Sequence, residues 1–576
     1  MVIRKSWINT FLNEITHFRK FLLPIIFIPF VFYNCAATIP SNKIYIRANQ
    51  VGYLPDDMKT AVVFSENPIY AKKFSVKDFN GGKVVLIDEL QKSDFNYGDF
   101  KYGYIADFSK IVRPGKYLIS VDGSDSFPFK IGKNIYNNVV DSLMQFFREQ
   151  RCGPTDPILH GVCHLYDVSR LIGDNSHPGG VDVTGGWHDA GDYIKFLSTT
   201  AFTTYMLIFS YDFDKAKYGF DYNHNGVPDV LEEAKIGIDW LLRCNYNNPK
   251  SGESISKYKL VTQVQDLRDH EVGWRMPEDD SLRYDRVGFV GIGKNTIGIY
   301  AAVMALASRI WAEKFYNYDL AKKCLDAAEN FYAIRNDVPD IDTSGTGMYR
   351  DVTYKGKLAL GAIELYLTTK NQKYLDEAMA YADSAKSDYW WSYGNINSLA
   401  DYRLAKIFPR YSQYILNNLI FFNTKKDSSL FNEAMAYSWG STNSFLGAAL
   451  QAILYKDATG NNRYDSLAID QRDYVLGRNP WGISFIYNIG SSFPRHLHSQ
   501  VAYFHGGYLP GALAAGPAPA SSLKQFKMKD MKSRYNQFNT SEVEYFDDWS
   551  NYITNEPTII GNATAVFVYG YYSDDL

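Results

Sequence analysis

Between residues 139 and 571 the apolar residues recur at a spacing near 3.6, in roughly twelve separate segments. The first is Val139-Val140-Asp141-Ser142-Leu143-Met144-Gln145-Phe146-Phe147, and the last closes the chain at 558–571. The others centre near residues 204, 237, 303, 325, 362, 379, 402, 416, 449 and 469. Amphipathic helices bury their apolar stripes against one another. Residues 136–576 are therefore expected to form an all-α domain, a closed toroid of helix pairs. Three connections are long, around 152–196, 246–292 and 480–556. Long loops in a compact domain usually carry function, and the chemically suggestive residues fall in them.

Before this, residues 43–133 alternate with period two. Ile44-Tyr45-Ile46, Ala61-Val62-Val63-Phe64, Val84-Val85-Leu86-Ile87, Tyr102-Gly103-Tyr104-Ile105 and Tyr117-Leu118-Ile119-Ser120-Val121 read as strands. Gly52, Gly81-Gly82, Pro114-Gly115 and Asp122-Gly123 mark the turns. A β-sandwich packed beside the helical domain is expected, with a structural role.

The N-terminus has a different pattern. Arg4, Lys5, Arg19 and Lys20 precede an apolar run at 21–33 that contains Pro24 and Pro29, followed by Asn34-Cys35-Ala36-Ala37. A basic segment and a short apolar run read as an export signal over residues 1–35. Cys35 after the run resembles a lipoprotein signal; the alternative is plain cleavage near Ala37. Either way the mature chain is exported, to the cell surface or outer membrane as a lipoprotein, otherwise to the periplasm or medium. The net charge of −3 offers no basic field for nucleic acid, and a monomer is expected. Cysteines at only 35, 152, 163, 244 and 324 make no disulfide framework; Cys244 and Cys324 read as core residues.

Four constellations carry chemistry. Gly185-Gly186-Trp187-His188-Asp189-Ala190-Gly191-Asp192 places two carboxylates three residues apart beside glycines and an aromatic ring. Such a pair can hold a water, a proton or a metal, or can cap a helix. Cys152, Cys163, His164 and His188 form a Cys₂His₂ set suited to structural zinc, unless they are buried thiols and unrelated imidazoles. The stretch 221–232 fits a calcium loop, with Asp221, Asn223, Asn225, the Val227 carbonyl, Asp229 and Glu232 as ligands; a polar turn entering a helix is the alternative. Glu556 precedes Pro557 at the mouth of the last helix. Aromatic and apolar neighbours could raise its pKa and keep it protonated, or it is an exposed carboxylate. No organic cofactor is expected.

Taken together, these blocks resemble glycoside hydrolase family 9, the cellulase and endoglucanase family, over nearly the whole mature chain. Asn49-Gln50-Val51-Gly52-Tyr53 is similar to the start of the immunoglobulin-like domain that precedes many catalytic domains of that family. Phe146–Gly153, Gly185–Phe196, Asn225–Ala234, Trp439-Gly440-Ser441, Tyr474–Pro480, Asn555-Glu556 and Asn562-Ala563 match further blocks in order. The resemblance implies an (α/α)₆ barrel and hydrolysis of β-1,4-glucosidic bonds with inversion. It implies Asp192 as general base, Asp189 as its partner in positioning water, and Glu556 as general acid. It supports both metals. Trp187, Trp274, Trp390, Trp391 and Trp439 are candidate sugar platforms or core residues, and the family-like loop from His270 to Glu278 is expected to line the cleft.

There are departures. The family's Pro-x-x-x-His-His-Arg sugar-binding block reads Pro494-Arg495-His496-Leu497-His498-Ser499-Gln500 here. His498 matches, Ser499 and Gln500 do not, and Arg495 is the candidate replacement cation. The partner is a plant-type β-glucan: cellulose, mixed-linkage glucan or xyloglucan. Endo attack is expected. An exo-glycosidase acting on short oligosaccharides, or a non-catalytic carbohydrate-binding surface protein, is the rival.

Overall fold

The computed structural model describes residues 42–94, 97–347, 349–525 and 533–574. The export signal and Cys35 lie outside the described residues.

Among the described residues the first domain is a sandwich of ten strands: β1 (Tyr45–Arg47), β2 (Gly52–Tyr53), β3 (Thr60–Ser65), β4 (Lys73–Asp78), β5 (Val84–Glu89), β6 (Gln91–Ser93), β7 (Tyr102–Asp107), β8 (Gly115–Val121), β9 (Ser124–Asp125) and β10 (Phe129–Ile131). One sheet runs β1-β3-β7-β6. The other runs β2-β10-β8-β4-β5, with β9 on β8. Strand β4 falls outside the expected set because Phe74 and Val76, which point into the sandwich core between Lys73, Ser75 and Lys77, are too short an apolar alternation to mark a strand alone. Strand β3 shows why Ala61–Phe64 is apolar throughout. Ala61 and Val63 feed the sandwich core, while Val62 and Phe64 join the helical core, where Phe64 meets Phe431 edge to face at 5.4 Å. A strand buried on both faces reads as a continuous apolar run.

Asn49 and Gln50 stitch the sandwich to the helices. Asn49 Nδ2 donates to Asp473 Oδ1 at 2.8 Å, and Gln50 Oε1 accepts from the Ser491 and Ser492 amides at 2.9 and 2.8 Å. Arg472, buried between the rings of Tyr136 and Tyr572, pairs with Asp57 at 2.9 Å. Burial pushes Asp473 up to about 6, and the neighbouring Arg472 opposes that shift. An ion pair this dry holds only while both partners stay in place.

All twelve expected helices form: α1 (Asn137–Gln150), α2 (Leu197–Phe213), α3 (Asp229–Cys244), α4 (Lys294–Phe315), α5 (Tyr318–Ala333), α6 (Lys355–Thr369), α7 (Gln372–Ala385), α8 (Asn397–Ala405), α9 (Ser412–Lys426), α10 (Ser441–Thr459), α11 (Asp465–Val475) and, last in the chain, Ile559–Tyr572. Two short helices, α12 (Gln500–Phe504) and α13 (Tyr552–Asn555), lie in the long third loop, which makes the closing helix α14. Neighbour packing closes a ring, α2-α4-α6-α8-α10-α14 and back to α2. The six remaining long helices pack outside it. Inner helices are buried on nearly every side, α14 from Ile559 through Gly570, whereas outer α7 buries only Leu375, Ala378 and Ala382. A helix apolar all round belongs inside, and one with a single stripe belongs at the surface. This is an (α/α)₆ barrel.

The first two long loops are not bare. β11 (Arg170–Ile172), β12 (Lys195–Phe196), β13 (Leu260–Val264) and β14 (Val287–Gly291) form a sheet in the order β11-β14-β13-β12, which ties the two loops together beside α2.

Candidate active site

A cleft of about 640 Å³ opens where the inner helices begin. Phe196 precedes α2, Tyr349 precedes α6, and Trp390 and Tyr393 precede α8. Trp439 and Gly440 precede α10, and Glu556 and Thr558 precede α14. Helix N-termini carry unpaired amides and partial positive charge, so this mouth suits oxygen-rich ligands and carboxylates. Asp189, Asp192, His270, Trp274, His498, Trp439, Tyr552 and Glu556 all line it.

The loop 185–196 is shaped by close backbone contacts. Gly186 has φ +73°, and a Cβ there would lie 2.6 Å from the Trp240 ring. A Cβ on Gly191 would lie 2.0 Å from the His498 carbonyl oxygen, so only glycine lets the two segments meet. Asp189 is buried. Its Oδ1 accepts the Thr199 hydroxyl, and its Oδ2 has no hydrogen-bond partner. Burial pushes Asp189 up to about 7, against the opposing Thr199 and Tyr349 hydroxyls. Asp192 keeps 17% of its side chain exposed toward the cleft. Its Oδ1 accepts the Ile194 amide at 3.0 Å, and its Oδ2 meets His270 Nε2 at 2.6 Å. That hydrogen bond raises the His270 pKa.

Glu556 caps the C-terminal end of α13 and retains a part-exposed face. Its Oε1 accepts the Gly191 amide at 3.3 Å, which fixes it against the carboxylate loop. Desolvation, and next the charge of Asp192, hold Glu556 well above the usual carboxyl range. A carboxylate open to the cleft near a carboxyl whose pKa is raised is an arrangement from which a base and an acid can be drawn. Asn555 holds the turn by donating to the Phe546 and Asp548 carbonyls at 2.7 and 3.1 Å.

The aromatic expectations divide. Trp274, Trp390 and Trp439 line the cleft; Trp439 is 43% exposed and packs against Tyr552 at 5.2 Å. Trp187 does not. It is fully buried, donates Nε1–H to Glu233 at 2.6 Å and packs near Phe147, so it braces the loop against α3 from behind. Trp391 is also buried, donating to Thr564 at 3.2 Å. Sequence spacing cannot tell a ring facing out of a loop from one facing in. Arg495 is no substitute cation, because it lies off the cleft lining with its guanidinium over Phe493 at 3.9 Å. His498 faces the cleft between Trp274 and Tyr552, and its Nδ1 meets the Trp549 carbonyl at 2.6 Å. Burial lowers its pKa, which favours the neutral ring. The departures have structural work. Ser499 caps α12 through the Ala502 amide, and Gln500 Oε1 accepts the Arg275 amide at 3.0 Å. Thr199, Tyr349, Tyr393 and Tyr552 were not singled out from sequence. Tyr349 sits in a connection between α5 and α6 with no motif to flag it.

Behind the loop, Cys152, Cys163, His164 and His188 converge, with their donor atoms all within 4.8 Å of one another. Sγ–Sγ is 4.0 Å, Cys152 Sγ to His164 Nδ1 is 3.6 Å, Cys163 Sγ to His188 Nε2 is 3.8 Å, and Nε2 to Nδ1 between the imidazoles is 3.2 Å. A tetrahedral zinc with ordinary bond lengths needs edges of about 3.8, 3.5 and 3.3 Å for S–S, S–N and N–N pairs. The residues fit a metal. His164 is oriented by Asp280, 3.1 Å from its other ring nitrogen, as outer-shell carboxylates orient metal-bound imidazoles.

The 221–232 loop has its own geometry. Asp221 accepts the Asn225 and Gly226 amides at 3.0 and 2.7 Å, and Asn223 and Asn225 both donate to Glu232 Oε2 at 2.8 Å. Asp229 enters the first turn of α3 with Oδ1 buried and unpartnered, and burial raises it to about 6. The Val227 carbonyl belongs to the same turn. The loop's N–H donors thus occupy oxygens of Asp221 and Glu232, and Asp229 Oδ1 is left as a buried oxygen without a protein partner.

An (α/α)₆ barrel with an acidic pair, a desolvated glutamic acid and aromatic walls at its mouth is the frame of a glycoside hydrolase. The chain belongs to glycosyl hydrolase family 9, whose family model matches residues 136–569. A cellulase N-terminal immunoglobulin-like domain matches residues 42–126. The chain is 26% identical to a xyloglucan-specific endo-β-1,4-glucanase of Bacteroides ovatus, covering 92% of this chain and 93% of that one. It is also 26% identical to endoglucanase D of Acetivibrio thermocellus, covering 84% and 80%. Among solved structures, a metagenome-derived family 9 endoglucanase aligns with TM-score 0.78 at 27% identity, covering 92% of this chain and 99% of that one. A zinc-binding triple mutant of another family 9 endoglucanase aligns with TM-score 0.78 at 25% identity, covering 91% and 100%.

Proposed function

We propose that this protein is an inverting endo-β-1,4-glucanase acting on a plant-type glucan. The observation that carries it is the pairing in one cleft of Asp192, open to it, with Glu556, whose pKa desolvation and the Asp192 charge raise well above the usual carboxyl range. In this reading Asp192 takes a proton from water, and that water attacks the anomeric carbon. Glu556 protonates the departing glycosidic oxygen, and the configuration inverts. Asp189, with Oδ2 buried and free of protein partners, holds the same water from below. Trp274, Trp390, Trp439 and Tyr552 stack on sugar faces, and His498 supplies a neutral polar contact.

The relative from Bacteroides ovatus, named as xyloglucan-specific, makes xyloglucan the first candidate; cellulose and mixed-linkage glucan follow. Export of the chain through residues 1–35, with Cys35 as lipid anchor, places it where such polymers are met. It acts as a monomer. The test is hydrolysis of xyloglucan, mixed-linkage glucan and carboxymethyl cellulose, with NMR of the first-formed anomer. Expected are α-configured new ends and a rapid fall in viscosity. First-formed β ends would refute inversion, and loss of viscosity only in step with reducing ends would replace endo by exo attack.

The Cys/His cluster is assigned to structural zinc and the 221–232 loop to calcium. Bound zinc would pin the loop bearing Asp189 and Asp192 from behind, as a closed four-ligand site with no open position. Purified protein should hold close to one zinc per chain. Breaking a buried site of this kind costs about 3–5 kcal/mol, or roughly 3–5 °C of Tm for a chain of this size. Cys163→Ser should therefore lose zinc and melt lower by that amount in calorimetry. Unchanged melting would remove the structural assignment.

A further inference from the structure

A row of rings leaves the cleft at Trp274. Trp274 lines the cleft and meets His498 edge to face at 5.1 Å on one side. On the other it meets Tyr503 edge to face, also at 5.1 Å. Tyr503 in turn contacts Phe504 at 5.4 Å and Trp549 at 5.3 Å, and Trp549 contacts His496 at 5.3 Å. Two of these rings face solvent, Tyr503 at 47% and Phe504 at 48% exposed, while Trp274 and Trp549 are half-buried and support them. Exposed apolar groups scattered singly need no explanation, but a contiguous set running out of a binding cleft does.

The local sequence makes the row. Helix α12 buries Gln500, Val501 and Ala502 and turns Tyr503 and Phe504 outward. Its start is fixed by the Ser499 cap and by the Gln500 amide donating to the Gly191 carbonyl at 3.0 Å, next to the catalytic loop. The platform and the carboxylates are therefore tied through one residue. Polar groups flank the rings. Asp547 accepts the Arg495 and His496 amides and lies 3.5 Å from the His496 ring nitrogen, and the His496 side chain is 47% exposed. Apolar faces edged by hydrogen-bonding groups match a sugar ring, which offers C–H faces and hydroxyl rims.

We infer that Tyr503 and Phe504, with Trp549 behind them, form an outer platform that binds a β-glucan chain where it runs beyond the cleft, past Trp274. The inference rests on the glucanase reading for the identity of the ligand. The platform raises affinity for long chains and makes no contact with a substrate short enough to be held inside the cleft.

The test compares Tyr503→Ala, Tyr503→Phe and the double variant Tyr503→Ala/Phe504→Ala with the unmodified protein. Each is assayed on xyloglucan and mixed-linkage glucan polymers, on cellotetraose, and by retardation in gels containing each polymer. The expected result for Tyr503→Ala is a KM on polymer raised about three- to tenfold, the scale of one lost ring contact. Its kcat should hold, cellotetraose hydrolysis should stay within about twofold, and gel retardation should weaken; the double variant should lose more. Tyr503→Phe keeps the ring and should keep polymer affinity. Equal loss on polymer and cellotetraose, no loss on polymer, or loss in Tyr503→Phe equal to that in Tyr503→Ala would each overturn the platform. If the unmodified protein hydrolyses no glucan, the glucanase reading falls by itself. Gel retardation then still decides the platform, since retardation lost in Tyr503→Ala sustains it and absence of any retardation ends it.

Discussion

Glu556→Gln is expected to lower kcat on an unactivated glucan about 10³- to 10⁴-fold while changing KM less than about threefold. The substitution keeps shape and keeps an oxygen for the Gly191 amide, which donates to Oε1 at 3.3 Å. Only the transferable proton is lost. The effect should shrink on aryl glycosides, whose leaving groups need no proton. The pH profile carries the sign. Desolvation and the Asp192 charge raise Glu556, so it stays protonated above the ordinary carboxyl range. Activity should persist into that range and fall as pH rises through the raised pKa, and this alkaline limb should vanish in Glu556→Gln. Linkage runs the same way. Since the folded pKa exceeds the unfolded one, the stability contributed by the neutral carboxyl is complete at low pH. It is lost as pH rises from about 4.3, the unfolded value, through the folded value. Glu556→Gln should therefore gain Tm relative to the unmodified chain as pH rises through that window. A variant with a tenth of normal activity on xyloglucan would remove Glu556 as the acid.

The parts of this molecule that could be read from its sequence are those whose burial leaves a periodic trace. Outer α7 shows a single stripe and inner α14 is apolar on nearly every side, whereas α8 and α11 also bury charged residues such as Asp401, Arg403, Asp470 and Arg472. Strand β3 is legible because both its faces are buried, whereas β4 offers only Phe74 and Val76, an alternation too short to stand out. The order of the inner ring leaves no such trace, since any inner helix could follow any other with the same pattern. The site divides the same way. Asp189, Asp192 and Glu556 stand in dense motifs that need glycine, proline or a cap beside them, and those needs are local. Trp187 stands in the densest motif of all, yet faces inward, because the partner that claims it, Glu233, comes from α3. Tyr349 reaches the Asp189 neighbourhood from a connection with no local signature. Orientation is settled by tertiary packing, and spacing along the chain does not encode it.

Asp192→Ala is expected to cost about 10³-fold or more in kcat on the same glucan, through loss of the group that activates water. Two other effects follow from the geometry. His270 loses the partner 2.6 Å away that raises its pKa, so its titration should move down toward the ordinary imidazole value. Glu556 loses the second-largest of the influences holding it high, after desolvation, so any residual activity should show its alkaline limb at lower pH. Rescue separates a lost base from a disturbed fold. Azide is an anionic nucleophile that needs no proton removed, and the shortened side chain leaves it room. It should attack the anomeric carbon as Glu556 protonates the departing oxygen, giving a glycosyl azide of α configuration. Asp189→Ala should not be rescued, because its carboxyl is buried, with Oδ1 accepting the Thr199 hydroxyl, and the shortened side chain opens no path for azide from the cleft. Rescue of Asp189→Ala with none for Asp192→Ala would exchange the two roles. Rescue of neither, with both variants folded and melting normally, would mean that the water is activated from elsewhere in the cleft. His270, poised on Asp192 and facing the same space, is then the group to replace next.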